Sequence, residues 1–484
     1  MNKQTLLSNF IAYPESINDL NGQTVFMARE QEADVLIIAG GDLGFAGEDF
    51  IADGCRCRKA PLTHDNAVNL RRLFPFTAPR QGLASDRSLG VGDRLGVAGP
   101  GHLRVFKKYD AFPILAQQSI RELTLTGRTY EDVLDCVTFA VYRAGYRDGF
   151  GADGDHLKKP EELEYALRCG FTMITLDCSE HIRNDVDSMT DAQVDQAYQA
   201  DAALEQLYLG RSFTIGNDAV LTFGQSEFRR MTLIYNQAIR FAATIYERYI
   251  RPNPVDFEIS IDETATPTTP LQHYYVASEL RRRGVVFATL APRFCGEFQK
   301  GVDYIGDLRQ FERDFAVHAA VASHFGYKIS VHSGSDKFSV FPIVGRLSQG
   351  RYHLKTAGTN WLEAIKLVAM KQPALYREIH AFALRNFTEA RRYYHVTTRL
   401  DLIPDLAGLP DQELPVLFAQ NDARQLIHIT YGLILTARRP DGAYLFRARL
   451  YAFWQENADA YADLIEQHIG RHLATLGCPA RDQV

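Results

Sequence analysis

The chain has 484 residues, of which 46% are hydrophobic and 23% charged, enough to bury a large core as two or three domains or as one barrel with additions. A formal net charge of -6, with no basic run longer than Arg281-Arg282-Arg283, leaves no electrostatic footprint for nucleic acid. No apolar stretch approaches the roughly 18 residues that a membrane span requires, and the N-terminus lacks the pattern of a signal peptide, so a cytoplasmic location is expected.

In chain order, the first 80 or so residues contain one clear buried-strand run, Val35 to Gly41, amid irregular sequence rich in Gly, Asp and Arg. Cys55 and Cys57 lie here, but a single intervening residue suits neither redox nor zinc chemistry. With the other five of the seven cysteines scattered, a set of mostly reduced core thiols is expected.

From there strand and helix signals alternate. Strands are predicted at 87–92, 112–116, 149–153, 171–177, 255–261, 285–290, 327–331 and 351–355, with helices such as 129–146, 269–283 and 307–325 between them. Thr129 and Asp132 are spaced as a capping box, and Gly284 stops the second of these helices. This alternation predicts a (β/α)8 TIM-type barrel with a helical insertion at about 190–250 and with N- and C-terminal extensions. The corresponding division is 1–84, a barrel over 85–390, and a helical extension over 391–484. Residues 338–350 form the weak joint, since only a poorly periodic link joins two strands there; a doubly wound open sheet is the alternative.

Chemistry gathers where the predicted strands end. The stretch 149–156, GFGADGDH, closes on Asp153, Asp155 and His156. Other ends carry Gly92-Asp93-Arg94, Gln117-Gln118-Ser119, Thr175-Leu176-Asp177, Glu258 to Glu263, Pro292-Arg293, His332 to Lys337, and Lys355 to Thr359. Polar residues at one strand end are ordinary caps and turns, but their recurrence at every C-terminal end is what a barrel active site requires.

A metal would organise such a rim, because imidazoles and carboxylates from different strands hold a divalent ion and leave positions open for substrate oxygens. The best trio is His156, Glu263 and His332, with Asp155 and Asp262 as substitutes if the register is off by one. Zn, Mn, Ni and Co all accept such ligands, so the ion's identity stays open. His318 and His324 fall in a helical pattern and are expected to be structural. Arg94, Arg293, Lys337 and Lys355 are candidates for a substrate carboxylate or phosphate. Gln118, Ser119 and Thr175 suit sugar hydroxyls. Asp177, and after it Asp153, are the candidate proton carriers. Neither a P-loop nor a complete dinucleotide fingerprint occurs.

Several longer motifs carry a resemblance: GDRLG (92–96), PGH (100–102), AQQSIREL (116–123), TGRT (126–129), GFGADGDHLK (149–158), SVHSGSDKFS (330–339) and HLKTAGTNWLEA (353–364). Together, over about 85–370, they resemble the tagaturonate epimerases of bacterial hexuronate breakdown. The resemblance implies a metal-dependent barrel that interconverts D-tagaturonate and D-fructuronate, or the neutral ketohexoses tagatose and fructose. The carbon inverted there is β to the ketone, so its hydrogen is not acidic and retro-aldol cleavage with re-addition is the expected route; the rival, transient oxidation of the hydroxyl by a bound nicotinamide, is disfavoured by the missing dinucleotide fingerprint. A class II-type aldolase that releases its fragments is the alternative. The expected partner is a small sugar or sugar acid, with neither nucleic acid nor membrane involved; a homo-oligomer is compatible with the sequence.

Overall fold

In the computed structural model of the chain, which describes residues 3–30, 33–216 and 219–483, eight strands close into a barrel. They are β1 (Arg87–Val91), β2 (Phe112–Ser119), β3 (Gly151–Leu157), β4 (Met173–Asp177), β5 (Asp256–Ile261), β6 (Thr289–Pro292), β7 (Lys328–Val331) and β8 (Tyr352–Thr356). Each pairs in parallel with its chain neighbours, and β8 pairs with β1. Closure excludes the open sheet. The weak joint at 338–350 proves to be a short helix, Phe341–Leu347, whose few residues show too little periodicity to be read from sequence.

Because the strands are covered on both faces, they read as nearly continuous buried runs; all eight residues of β2 are buried. The interior of the barrel, however, is polar. Ser88, Asp153, Thr175, Glu258, Thr289, Ser330 and His353 are all fully buried. Their groups answer one another, as where Ser88 Oγ lies 2.9 Å from both His353 Nδ1 and Lys328 Nζ.

Between β4 and β5 the chain makes helices at Asp191–Ala197, Ala202–Tyr208 and Gln225–Ile245, as the expected insertion requires. It also makes an antiparallel hairpin, Ser212–Ile215 with Ala219–Thr222, which corrects the all-helical reading. Both segments alternate in burial, the mark of a half-buried strand, and Phe213 packs its ring 5.0 Å from that of Tyr274.

Ahead of the barrel lies a six-stranded sheet in which Gln23–Arg29, Asp34–Ala39, Cys55–Pro61 and Glu48–Ala52 pair antiparallel in that order. Only the Asp34–Ala39 strand had been legible. Cys55 and Cys57 belong to a strand of this sheet, and all seven cysteines are free thiols.

After β8 the helices Asn421–Ile429, Tyr431–Thr436 and Ala458–Thr475 fold back over the barrel. Trp361 Nε1 donates to Ile427 O at 2.8 Å, and Tyr461 Oη donates to Asn360 O at 2.9 Å. No helix among the described residues is long and apolar enough to cross a membrane.

Candidate active site

A cavity of about 590 Å³ opens at the C-terminal ends of the strands, lined by Gln117, Asp155, His156, Asp262, His332 and Lys355 among others. His156 reaches it through a local irregularity. Between β3 and β4, Gly154 to Leu157 on one strand stand opposite only Ile174 to Leu176 on the other, so β3 carries one extra residue. His156 itself has φ +53°, a left-handed conformation uncommon outside glycine. Simple alternation would send Asp155 and His156 to opposite faces; the bulge lets both line the cavity.

His332 follows β7, and its Nε2 lies 2.7 Å from Glu258 Oε1. A carboxylate there fixes the proton on Nε2 and leaves the lone pair on Nδ1 facing the cavity. That Nδ1 makes no hydrogen bond although Asp262 Oδ1 stands 3.3 Å away. Two acceptors so close, the imidazole buried and the carboxylate half-buried, are satisfied by a shared proton or by a cation between them. The His156 and His332 rings meet edge to face at 4.8 Å, and ligand atoms of His156, Asp262 and His332 all lie within 4.8 Å of one another. The donor set therefore fits a divalent ion. Of the predicted trio, His156 and His332 are in this group. Glu263 instead groups with His156 and Asp177, and its Oε2 is 3.2 Å from Lys158 Nζ.

Around these ligands the field is strongly negative. Burial alone would lower the His156 imidazole, yet Asp155, Asp177, Asp262 and Glu263 push it up to about 10.

Beneath the group, Lys355 Nζ lies 2.7 Å from Asp153 Oδ2, 2.7 Å from Asp155 Oδ1 and 2.9 Å from Glu258 Oε1, and it also donates to Thr175 Oγ1. Burial, assisted by Asp155 and Glu258, pushes Asp153 up to about 7 despite Lys355. Asp177 behaves oppositely. Although burial would raise it, His156 and the Ser179 amide, which donates to its Oδ1 at 2.8 Å, hold it well below the usual carboxylate range. Neither Asp153 nor Asp177 lines the cavity; each sits one layer behind it.

The four predicted cations are all engaged. Arg94 is buried against Glu122, with its Nε 2.8 Å from Oε1 and its guanidinium 3.9 Å from the centre of the Tyr431 ring. Lys337 donates to the backbone carbonyls of Gln299, Val302 and Ser335, which clamps the loop after β7. Lys355 serves the carboxylates just described. Arg293 lines the cavity and donates to Thr264 O. Among the hydroxyl candidates, Thr175 faces the interior and donates to Asp153 at 3.0 Å. Ser119 lines the cavity but also caps the helix Ile120–Thr126, accepting from the Glu122 amide at 3.3 Å. Gln118 is buried away from the cavity, and its neighbour Gln117 takes the inward position.

Several lining residues had not been singled out in the sequence: Arg121, Lys300, Tyr394 and His395; Ser333 had been read only as part of the polar turn His332 to Lys337. Ser333, next to His332, also has a left-handed backbone, with φ +49°. Tyr394 and His395 come from the segment after the barrel and bring the C-terminal region to the mouth. Arg121 and Ser333 fall inside motifs noted above; Lys300 sits in a loop without any pattern.

The geometry has clear counterparts. A family model described as UxaE, tagaturonate epimerase, matches residues 13–476. A tagaturonate/fructuronate epimerase from Thermotoga maritima is 41% identical over 474 residues, which is 96% of this chain and 96% of that protein. The crystal structure of a fructuronate-tagaturonate epimerase from Cohnella laeviribosi, complexed with one glycerol, is 48% identical, with a TM-score of 0.95 over 98% of this chain and 97% of that one. A form of the same enzyme with two glycerols is 47% identical, with a TM-score of 0.94 over 99% and 100% of the chains.

Proposed function

The chain belongs to the tagaturonate epimerase family, and on that premise we propose that it interconverts D-tagaturonate and D-fructuronate by opening and re-forming the C3–C4 bond of the sugar acid. The observation that carries this reading is the pair His332 and Asp262, whose unbonded Nδ1 and carboxylate face each other beside His156 in the strand-end cavity. His156 and His332, with Asp262 or Glu263, would hold the ion, and a divalent Zn, Mn, Ni or Co there supplies Lewis acidity for negative charge developing on the sugar oxygens.

The protein's own groups handle the proton. Asp155 lines the cavity and takes the proton of the C4 hydroxyl only in passing, because, against burial, Lys355, His156 and His332 hold its carboxyl well below the usual range; Lys355, held between Asp155 and Asp153, hands a proton on to Asp153. Asp153, pushed by burial to about 7, is matched to that exchange near neutrality. As the C4–O bond becomes a carbonyl, the C3–C4 electron pair passes into an enediolate on the ketone half. The aldehyde half then turns and re-adds through its other face, and the proton returns to the C4 oxygen. Asp177 positions the His156 ring through the 3.2 Å contact to Nδ1. These steps need no diffusible partner, and a cytoplasmic location accords with such a catabolic role.

The direct test is to follow D-fructuronate by NMR with chelator-treated protein, then after each divalent ion is restored. D-tagaturonate should form only after restoration. Free three-carbon fragments in place of tagaturonate would favour an aldolase instead.

A further inference from the structure

We propose that Lys300, flanked by Arg121 and Ser333, binds the carboxylate of the sugar acid and thereby both selects uronates over neutral ketohexoses and retains the aldehyde half during inversion. This inference rests on the function proposed above, and it follows from where the site's positive charge is already spent. Arg94 is neutralised by Glu122, Lys355 by Asp153, Asp155 and Glu258, Lys158 by Asp177 and Glu263, and Lys337 is saturated by carbonyls. Lys300 differs. It lines the cavity, and among the described residues its Nζ donates a hydrogen bond only to Ser333 Oγ, at 3.2 Å, and forms an ion pair with no carboxylate. Arg121 lines the same cavity, its nearest carboxylate a loose 3.9 Å away at Glu263.

The placement is also chemically apt. Ser333 adjoins His332, so the Lys300 ammonium stands beside the group that would hold the reacting part of the sugar. Burial, with Arg121 and Arg94, pushes Lys300 below its ordinary range, as befits an ammonium that lacks its anion. A carboxylate seated there would satisfy the remaining N–H donors of Lys300 and the exposed edge of Arg121, as charge-assisted hydrogen bonds.

The consequence for the reaction is specific. Opening the C3–C4 bond places the carboxylate on the aldehyde half, C4 to C6. Anchored at C6, that half can turn about its C4–C5 bond without leaving. Lys300 would then separate an epimerase from an aldolase.

The experiment compares the metal-loaded wild type with Lys300→Met and Lys300→Arg on D-fructuronate and D-fructose, and measures released dihydroxyacetone by an NADH-coupled assay. Lys300→Met should lower kcat/KM for fructuronate by about 10- to 100-fold, the usual loss for a hydrogen bond to a charged group, and leave fructose within about 2-fold. It should also raise the fraction of turnovers that release dihydroxyacetone, and Lys300→Arg should restore both properties in part. If fructose turns over too slowly, calorimetric binding of D-gluconate and D-sorbitol gives the same comparison, with only gluconate weakened. Equal losses for charged and neutral sugars, or an undiminished fructuronate rate, would overturn the role of Lys300. Wild-type protein that leaves fructuronate unchanged would instead overturn the function itself.

Discussion

Glu258 Oε1 lies 2.7 Å from His332 Nε2 and 2.9 Å from Lys355 Nζ, so one buried carboxylate both orients a candidate metal ligand and balances the lysine beneath it. Glu258→Gln should therefore leave His332 free to choose its tautomer. Carboxylate partners of metal-bound histidines typically matter by about 10- to 100-fold in affinity, and a loss of that size is expected in a competitive chelator titration. Unchanged metal affinity would show that His332 does not depend on Glu258.

His156→Ala and His332→Ala should each lose metal and activity together. Between the two neighbouring acids, Asp262→Asn should weaken metal binding more than Glu263→Gln, since Asp262 Oδ1 stands 3.3 Å from His332 Nδ1 while Glu263 is already paired with Lys158. Metal content after dialysis against chelator reads the order directly, and the reverse order would make Glu263 the ligand.

Lys355→Met removes the only cation within ion-pair distance of both Asp153 and Glu258 among the described residues. Leaving buried charges without a partner typically costs about 3–5 kcal/mol, so urea denaturation should show a loss of that order. A variant as stable as the wild type would mean that the carboxylates are protonated or hydrated there.

A pH dependence follows from the cluster that ties the loop after β7 to the last long helix. Burial alone would raise Asp336, but His468 at 3.1 Å and Arg424 at 2.7 Å hold it well below the usual range. Its contribution to stability is thus complete above the unfolded value of about 4 and lost as pH falls through the depressed folded value. His468 runs the other way: Asp336 and Glu363 raise it against burial, so its contribution is full below about 6.5 and fades as pH rises through the folded value. Against wild type, Asp336→Asn should cost most at neutral pH and least in acid, and His468→Gln least in alkali. Thermal denaturation across pH 3–9 checks both limbs; flat differences would contradict them.

Ser119→Ala should cost about 1 kcal/mol of stability, the typical worth of an N-cap, as well as turnover, because Ser119 both caps its helix and lines the cavity.

How much of this was legible follows from what creates a pattern. All eight barrel strands could be read because each is a buried run between helical repeats, and their polar ends located the site. Facing was harder, because adjacent strand residues point opposite ways: Gln117, not Gln118, lines the cavity, and Asp262 joins the histidines where Glu263 had been expected. His156 reaches the cavity because of a bulge that no local composition announces. Lys300 and His395 lie in segments without periodicity, and tertiary packing alone brings them to the mouth.

The central claim is inversion of C4 at a metal-dependent site with the C4 hydrogen never exchanged with water, as carbon–carbon cleavage requires. It is tested most directly by NMR of D-fructuronate carrying deuterium at C4, incubated with metal-loaded and with chelated protein. The expected result is D-tagaturonate that keeps its deuterium, formed only by the metal-loaded protein. Deuterium lost to water, or equal turnover after chelation, would contradict it.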